Sequence, residues 1–348
     1  MQIIVFGAGG FMGGWICELF SESGEHGVVG CIRGWSSAVR IARRGITISR
    51  VDMRDSSQIA AILTGADVVV NASMPPPEME EEMASMLYEA STKFGVRRFI
   101  QFSSAAVYGN QLGNISEDMA TAPTDSYGRG KVAMENRLLE MATKKGPQLF
   151  ILRPSIIYGP FSEAWTVRYA RRIVSKRWRT LGRLGEGSCN LIHAKDVARS
   201  VLAAATADVG AGSHVLNLNG PDMVSWNEYI EQFGNAIGLQ SRNKPNYLDF
   251  ILRVVIADFV RKGGRLAKRY FATPLAAISR SAGVGRGIVG GAKSFAGIYP
   301  TRDELKLLGR KCSYSSRRAE QVLKFAPTIT LEEGLLNSSE WCRIHGVL

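Results

Sequence analysis

The sequence predicts an α/β fold, a doubly wound parallel sheet with a smaller C-terminal part. Three observations predict it. Short apolar runs recur at Gln2–Phe6, Val28–Ile32, Ala66–Ser73, Phe99–Phe102 and Leu149–Leu152, each the length of a strand buried on both faces. Segments of helical periodicity separate them, an alternation that calls for parallel strands joined by crossover helices. The polar residues with chemical potential fall just beyond the ends of these runs, where ligands bind in open α/β sheets.

The first run leads directly into Gly7, Gly10 and Gly13, and Trp15, Ile16, Leu19 and Phe20 then recur at helical spacing. Strand, glycine turn and helix make up the dinucleotide-binding fingerprint of a Rossmann sheet. Gly7 makes the tight turn, Gly10 lets backbone approach a pyrophosphate, and Gly13 lets helix and strand pack closely. The diphosphate then sits on free N–H groups around Phe11 and Met12 at the helix N-terminus. At the end of the second strand an acid would accept from the ribose 2′-hydroxyl of NAD, and an arginine would meet the 2′-phosphate of NADP. This chain has Arg33 there, with Arg40, Arg43 and Arg44 close behind, so NADP is favoured over NAD. Val51–Asp55 reads as a strand end and turn, placing Asp52 and Met53 at the adenine; Asp52 would accept from its amino group. Asn71, Ala72 and Ser73 end the next strand beside the cofactor, and Pro75, Pro76 and Pro77 close it. Glu78–Phe94 is helical in pattern, with an acidic start that suits a helix N-terminus.

Ser104 follows the Phe99–Phe102 strand, and Tyr127 and Lys131 lie four residues apart, Tyr127 coming 23 residues after Ser104. Spacing of four puts both side chains on one helix face. A free phenol has a pKa of about 10, too high for a base at neutral pH. A nearby ammonium and the positive ring of an oxidised nicotinamide would lower it. Tyr127 could then take a proton from a substrate hydroxyl, with Ser104 hydrogen-bonding the same oxygen as charge develops. Lys131 would also hold the nicotinamide ribose.

With these motifs, the chain resembles the extended short-chain dehydrogenase/reductases, the NAD(P)-dependent epimerases and dehydratases. The resemblance is carried by the glycine loop, Phe102–Gly109, Tyr127–Lys131, Arg153–Pro160, Leu191–Ala198 and a closing strand and helix in Ser313–Gly334. It implies Ser104 as the catalytic hydroxyl, Tyr127 as the acid/base and Lys131 as its partner. It adds Pro154 and Ile156 to the cofactor site, and Ser104, Ala105, Ser155 and Arg179 to the substrate site. It places the dinucleotide core in residues 1–160, with 189–220 returning to it, and substrate binding in 161–188 and 221–348. Dimers through a helix bundle are common in that family.

Two departures narrow the reaction. Family members that eliminate water often carry acids after the catalytic hydroxyl, where this chain has Ala105 and Ala106; neither moves a proton. Redox chemistry, or epimerisation through a keto intermediate, remains. Ser155 stands where sugar-nucleotide members often have Asn, which weakens the case for an ordinary nucleotide sugar. Gly130 in place of a common serine reads as of little consequence.

The formal charge of +12 is concentrated. Residues 164–185 hold seven Lys/Arg and no acid, and residues 259–302 hold nine and no acid. Just before the latter, 247–260 is apolar but too charged to span a membrane, which takes ~20 apolar residues. It reads as a core helix or as an apolar face lying in a membrane interface; residues 283–297 read as a loop. No recognition motif points to nucleic acid. The five cysteines show neither paired nor metal-like spacing, as in a reduced cytoplasmic protein, and the four histidines form no ligand pattern. The first strand begins at residue 2, leaving no room for a signal peptide. Three functions stay open. One is an epimerase or reductase of a diphosphate-linked sugar, nucleotide- or lipid-linked, with peripheral contact at the inner face of the membrane in the lipid-linked case. Another is a dehydrogenase of a hydrophobic alcohol or ketone, with 247–260 lining its pocket. The third is a non-catalytic NADP-binding regulator, which would need no triad.

Overall fold

A computed structural model describes all residues except 143–145, 176, 177, 179, 211, 240–246 and 271–296, and only the backbone of 247–249 and 263–270. The strands are β1 (Gln2–Phe6), β2 (Gly27–Ile32), β3 (Thr47–Arg50), β4 (Val68–Asn71), β5 (Arg98–Phe102), β6 (Gly113–Ile115), β7 (Gln148–Pro154), β8 (Ile156–Tyr158), β9 (Ser188–Cys189), β10 (Leu191–His193), β11 (Ser213–Leu218), β12 (Val224–Ser225) and β13 (Cys312–Tyr314). The helices are α1 (Phe11–Glu22), α2 (Val39–Ala42), α3 (Ser56–Leu63), α4 (Glu80–Lys93), α5 (Ser126–Met141), α6 (Arg168–Val174), α7 (Ala194–Thr206), α8 (Trp226–Ala236), α9 (Tyr247–Tyr270), α10 (Arg302–Gly309), α11 (Arg317–Leu323) and α12 (Leu331–Ile344). The chain divides into two compact units. The first is Met1–Trp165, Asn190–Met223 and Cys312–Gly334; the second is Thr166–Cys189, Val224–Lys311 and Leu335–Leu348.

The first unit is built on a seven-stranded sheet in the order β11-β7-β5-β4-β1-β2-β3, with every pairing parallel. Parallel strands need cover on both faces, and β1 shows how the sequence meets that need. Ile3 and Val5 pack with Ile16 and Phe20 of α1, Val197 and Val201 of α7 and Leu323 of α11. Ile4 and Phe6 point the other way, to Ile59 and Leu63 of α3, Leu87 and Tyr88 of α4 and Met134 and Leu138 of α5. Alternation puts neighbours on opposite faces, so a strand covered on both reads as an unbroken apolar run. Burying each large side chain contributes about 1.5–3 kcal/mol.

The predicted runs locate the strands, but not always their ends. The 66–73 run narrows to Val68–Asn71, because Ala66 N–H closes a turn onto the Leu63 carbonyl and residues 72 and 73 leave the sheet past Gly7. The 78–94 helix begins with a 3-10 turn, Pro77–Met79, before α4. Residues Cys312–Gly334 belong with the first unit rather than with the substrate part: β13 pairs with β6, and Ala319 and Leu323 enter the sheet core.

The second unit has an aromatic centre: Tyr169, Trp178, Trp226, Tyr229 and Phe233 pack in a chain of ring contacts. Arg172 lies inside it, 4.3 Å from the Trp178 ring centroid, and is ion-paired to Glu304. That cation therefore belongs to the core and not to a substrate-facing patch. Phe250, Val254 and Ala257 of α9 are buried, with Phe250 against Trp178 and Tyr299, so the inner face of 247–260 is core rather than pocket lining. Its outer face exposes Leu252, Val255, Ile256 and Phe259. No described helix is long and apolar enough to cross a membrane. The 283–297 loop reading lies outside the described residues save Gly297.

Candidate active site

The glycine loop is shaped by steric need. Gly7 has a φ of +78°, and a Cβ there would lie 2.7 Å from the Ser73 nitrogen. A Cβ on Gly13 would lie 2.7 Å from the Ala8 Cα, inside the turn. Gly10 is exposed and would meet only the Gly7 carbonyl, at 3.1 Å. Gly10 is also the N-cap of α1, with no side-chain cap and no acid in the first turn. The leading N–H groups of Phe11 and Met12 are thus left for a ligand, and an anionic diphosphate fits them in charge and hydrogen bonding.

The rest of the predicted cofactor site is uneven. Arg33 is exposed just past the end of β2 with no ion pair among the described residues, and it lies near enough to Asp52 to help hold that carboxyl down, at about 2. The first cause of that lowering is the Arg54 side chain, which engages both Asp52 oxygens at 3.0 and 2.7 Å. Asp52 is therefore turned to Arg54 rather than offered to an adenine. Met53 is buried in the sheet core. Arg40 is not free for a 2′-phosphate either: it pairs with Glu18 at 2.6 Å and lies over the Trp15 and Phe161 rings. The Asn71 side chain is also committed. It donates to Gln101 at 2.9 Å and accepts from the Ser73 hydroxyl at 2.6 Å, tying β4 to β5. Ala72 and Ser73 still pass beside Gly7. Pro154 ends β7 and Ile156 begins β8; between them the Ser155 hydroxyl is enclosed, with no hydrogen-bond partner among the described residues. Ala105 is buried and offers only a methyl wall. Arg179 lies outside the described residues.

Ser104, Tyr127 and Lys131 do come together. Ser104 caps the 3-10 turn Ala105–Tyr108, its Oγ accepting from Ala106 N–H at 3.1 Å. That leaves its proton for the Tyr127 oxygen, with which it hydrogen-bonds. Asp125 caps α5, accepting from Gly128 N–H at 2.7 Å. The glycines of Tyr127-Gly-Arg-Gly-Lys131 let this helix start sit deep: a Cβ on Gly128 would lie 2.7 Å from the Ala106 carbonyl oxygen, and one on Gly130 2.6 Å from that of Pro77. Gly130 is therefore consequential, contrary to the sequence reading.

The electrostatics differ from the expectation. Lys131 is buried, its Nζ 5.8 Å from the Tyr127 ring centroid. It donates to the Phe102 carbonyl at 3.0 Å and forms an ion pair with buried Glu80, a residue the sequence reading did not single out. The Tyr127 phenol is accordingly raised, not lowered. Burial is the main cause and Glu80 and Asp125 add to it, while the Ser104 hydrogen bond acts in the other direction.

Beneath the site, Glu135 accepts from the Ser103 hydroxyl and from Arg153 Nε at 3.0 Å, and Arg153 donates to the Tyr108 oxygen at 2.7 Å. Tyr108 in turn donates to Asn217 at 2.9 Å. His193 caps α7, accepting from Lys195 N–H at 3.2 Å, and burial pushes it down to about 4; it is a structural turn residue. Cys17 and Cys31 are buried free thiols pushed up to about 12, so they are poor nucleophiles. No group of three or more His, Cys, Asp or Glu among the described residues could hold a metal.

Residues 3–218, more than half of the chain, match the model of the NAD dependent epimerase/dehydratase family. The chain belongs to this family. It is an enzyme of the NAD-dependent epimerase/reductase type. An uncharacterized Sinorhizobium fredii protein, y4nL, is 23% identical, over 99% of this chain and 96% of that one. Cinnamoyl-CoA reductase 2 of Arabidopsis thaliana is 27% identical, over 45% of this chain and 55% of that one. The UDP-glucuronic acid 4-epimerase of Bacillus cereus, solved with NAD, superposes with a TM-score of 0.74 at 18% identity, over 99% of both chains. At that identity the superposition speaks for the fold.

Proposed function

We propose that the protein is an epimerase of a nucleotide-diphosphate-linked sugar that inverts one hydroxyl-bearing carbon through a keto intermediate. The hydrogen-bonded Ser104–Tyr127 pair, with Lys131 beside it and the glycine loop in the same unit, carries the reading. The Bacillus cereus neighbour, a UDP-glucuronic acid 4-epimerase, supports a UDP-linked substrate. Gly7, Gly10 and Gly13 make room for the cofactor, and the α1 amides take its diphosphate. When bound, the nicotinamide accepts and returns hydride at the reacting carbon. Tyr127 takes the proton from the substrate hydroxyl and gives it back to the carbonyl oxygen. Ser104 holds that oxygen in both directions. Ala105 offers no acid for elimination.

The test is turnover of UDP-sugars in deuterated water, followed by NMR. Hydride return keeps the carbon-bound hydrogen, so the epimer should form without deuterium at the inverted carbon. Deuterium at that carbon, or no epimer from any UDP-sugar, would overturn the reading. The cofactor preference rests on Arg33, which is exposed just past the end of β2 and suits the 2′-phosphate of NADP. Wild type should bind NADP more tightly than NAD and Arg33→Asp should reverse the order, by calorimetric titration; NAD binding at least as tightly to wild type refutes it.

One observation favours a substrate at a membrane surface. The exposed stripe Leu252, Val255, Ile256 and Phe259 has helical spacing and leads into the acid-free basic stretch. Lys262 is offset by its pairing with Asp258 at 3.2 Å, while Arg261 bonds the neutral Pro300 carbonyl at 3.2 Å and keeps its charge; each uncompensated cation near anionic lipid adds about 1 kcal/mol of attraction. Wild type should co-sediment with phosphatidylserine vesicles at low salt, less so with added salt, and Phe259→Asp should not. Absence of co-sedimentation leaves a freely diffusing nucleotide sugar.

A further inference from the structure

The Glu80–Lys131 ion pair lies directly behind the phenol assigned to proton transfer. Both side chains are almost fully enclosed, at 4% and 3% exposure, so water screens neither. The pair is also built in. Pro77–Met79 fixes the entry to α4, and Gly130 lets that turn press against α5 so closely that any Cβ would strike the Pro77 carbonyl. The other acids at the start of α4, Glu81 and Glu82, are exposed. On the next turn of α5, Glu135 is committed to Arg153 and Ser103 and so does not serve Lys131.

We propose that Glu80 is a positioning residue for proton transfer: its carboxylate holds Lys131 behind the Tyr127 ring and offsets the ammonium's charge there. Among the described residues, the charged and titratable groups around the phenol are few. Ser104 faces it from the end of β5, Asp125 and Lys131 from α5 itself, and Glu80 from α4. Of these only Lys131 is a cation, and Glu80 is the acid paired with it. With Glu80 neutral, the ammonium stands uncompensated 5.8 Å from the ring and favours phenolate. In each half-reaction the balance is one proton at Tyr127 Oη. It leaves the substrate hydroxyl as the C–H bond breaks, and it returns to the carbonyl oxygen as a C–H bond forms. Glu80 thus sets the pH at which the accepting direction begins.

This inference rests on Tyr127 being the proton carrier, and its test is arranged to separate the two. Tyrosinate absorbance is titrated in wild type and in Glu80→Gln, each against the same protein with Tyr127→Phe, so that the difference isolates one phenol without substrate. Glu80→Gln keeps the side-chain shape and a hydrogen bond to Lys131. It should move that phenol down by about one unit or more. The acid limb of the pH profile for substrate oxidation should move down with it, raising the rate on that limb about tenfold, and Glu80→Asp should restore the wild-type limb. A phenol that stays or rises in folded Glu80→Gln overturns the role of Glu80. A phenol that falls while the rate limb stays put keeps the electrostatic coupling and removes Tyr127 from the rate profile.

Discussion

Tyr127→Phe should lower turnover by about 10²–10⁴-fold, the usual contribution of a placed acid–base group. Affinity for the dinucleotide should barely change. The substitution deletes one oxygen and keeps the ring; the Ser104 hydroxyl loses one partner but still accepts from Ala106 N–H. The lost hydrogen bond should cost about 1 kcal/mol of stability at most, because the site is only half-buried and water can reach Ser104. Initial rates on the UDP-sugar that wild type epimerises, set beside calorimetric cofactor binding, separate the two effects. Turnover within a few-fold of wild type would take Tyr127 out of the chemistry. Lost cofactor affinity with lost turnover would point instead to damage around α5.

The sheet and the glycine loop were legible because local sequence states their physics. A strand covered on both faces must be apolar throughout, as in Ile3–Phe6, and a turn pressed against Ser73 and Ala8 needs glycine at 7 and 13. Ser104, Tyr127 and Lys131 were legible as a spacing. Glu80 was not. It stands in a run with Glu78, Glu81 and Glu82 that reads as acids suited to a helix N-terminus, and only packing turns one of them inward. A signal was present: two glycines within one helical turn, at 128 and 130, weaken a helix unless something must come close. Arg172 was hidden in another way. Its partner Glu304 is remote in sequence, so a buried cation passed for part of a basic surface. Arg40 was misread for the same reason, since Glu18 claims it from α1.

The largest loss of stability should follow Glu135→Gln. Glu135 and Arg153 are both buried, at 2% and 6% exposure, and Glu135 is the only carboxylate paired with that guanidinium among the described residues. Arg153 must stay charged, and its pairing with Glu135 raises its pKa despite burial. Neutralising Glu135 therefore strands a cation between α5 and β7, a class of change that costs about 3–5 kcal/mol. Ser103, Tyr108 and Asn217 are bonded into the same network, so the loss should spread along β5 and β11. Removing both charges together, as Glu135→Leu with Arg153→Met, leaves no stranded ion and should recover much of the loss. Urea unfolding of the three proteins reads the effect: a Glu135→Gln midpoint near wild type would mean that the guanidinium finds another partner. Ser103 adjoins Ser104, so the folded fraction of Glu135→Gln should also turn over more slowly, because the end of β5 that aims the Ser104 hydroxyl at Tyr127 has lost its anchor.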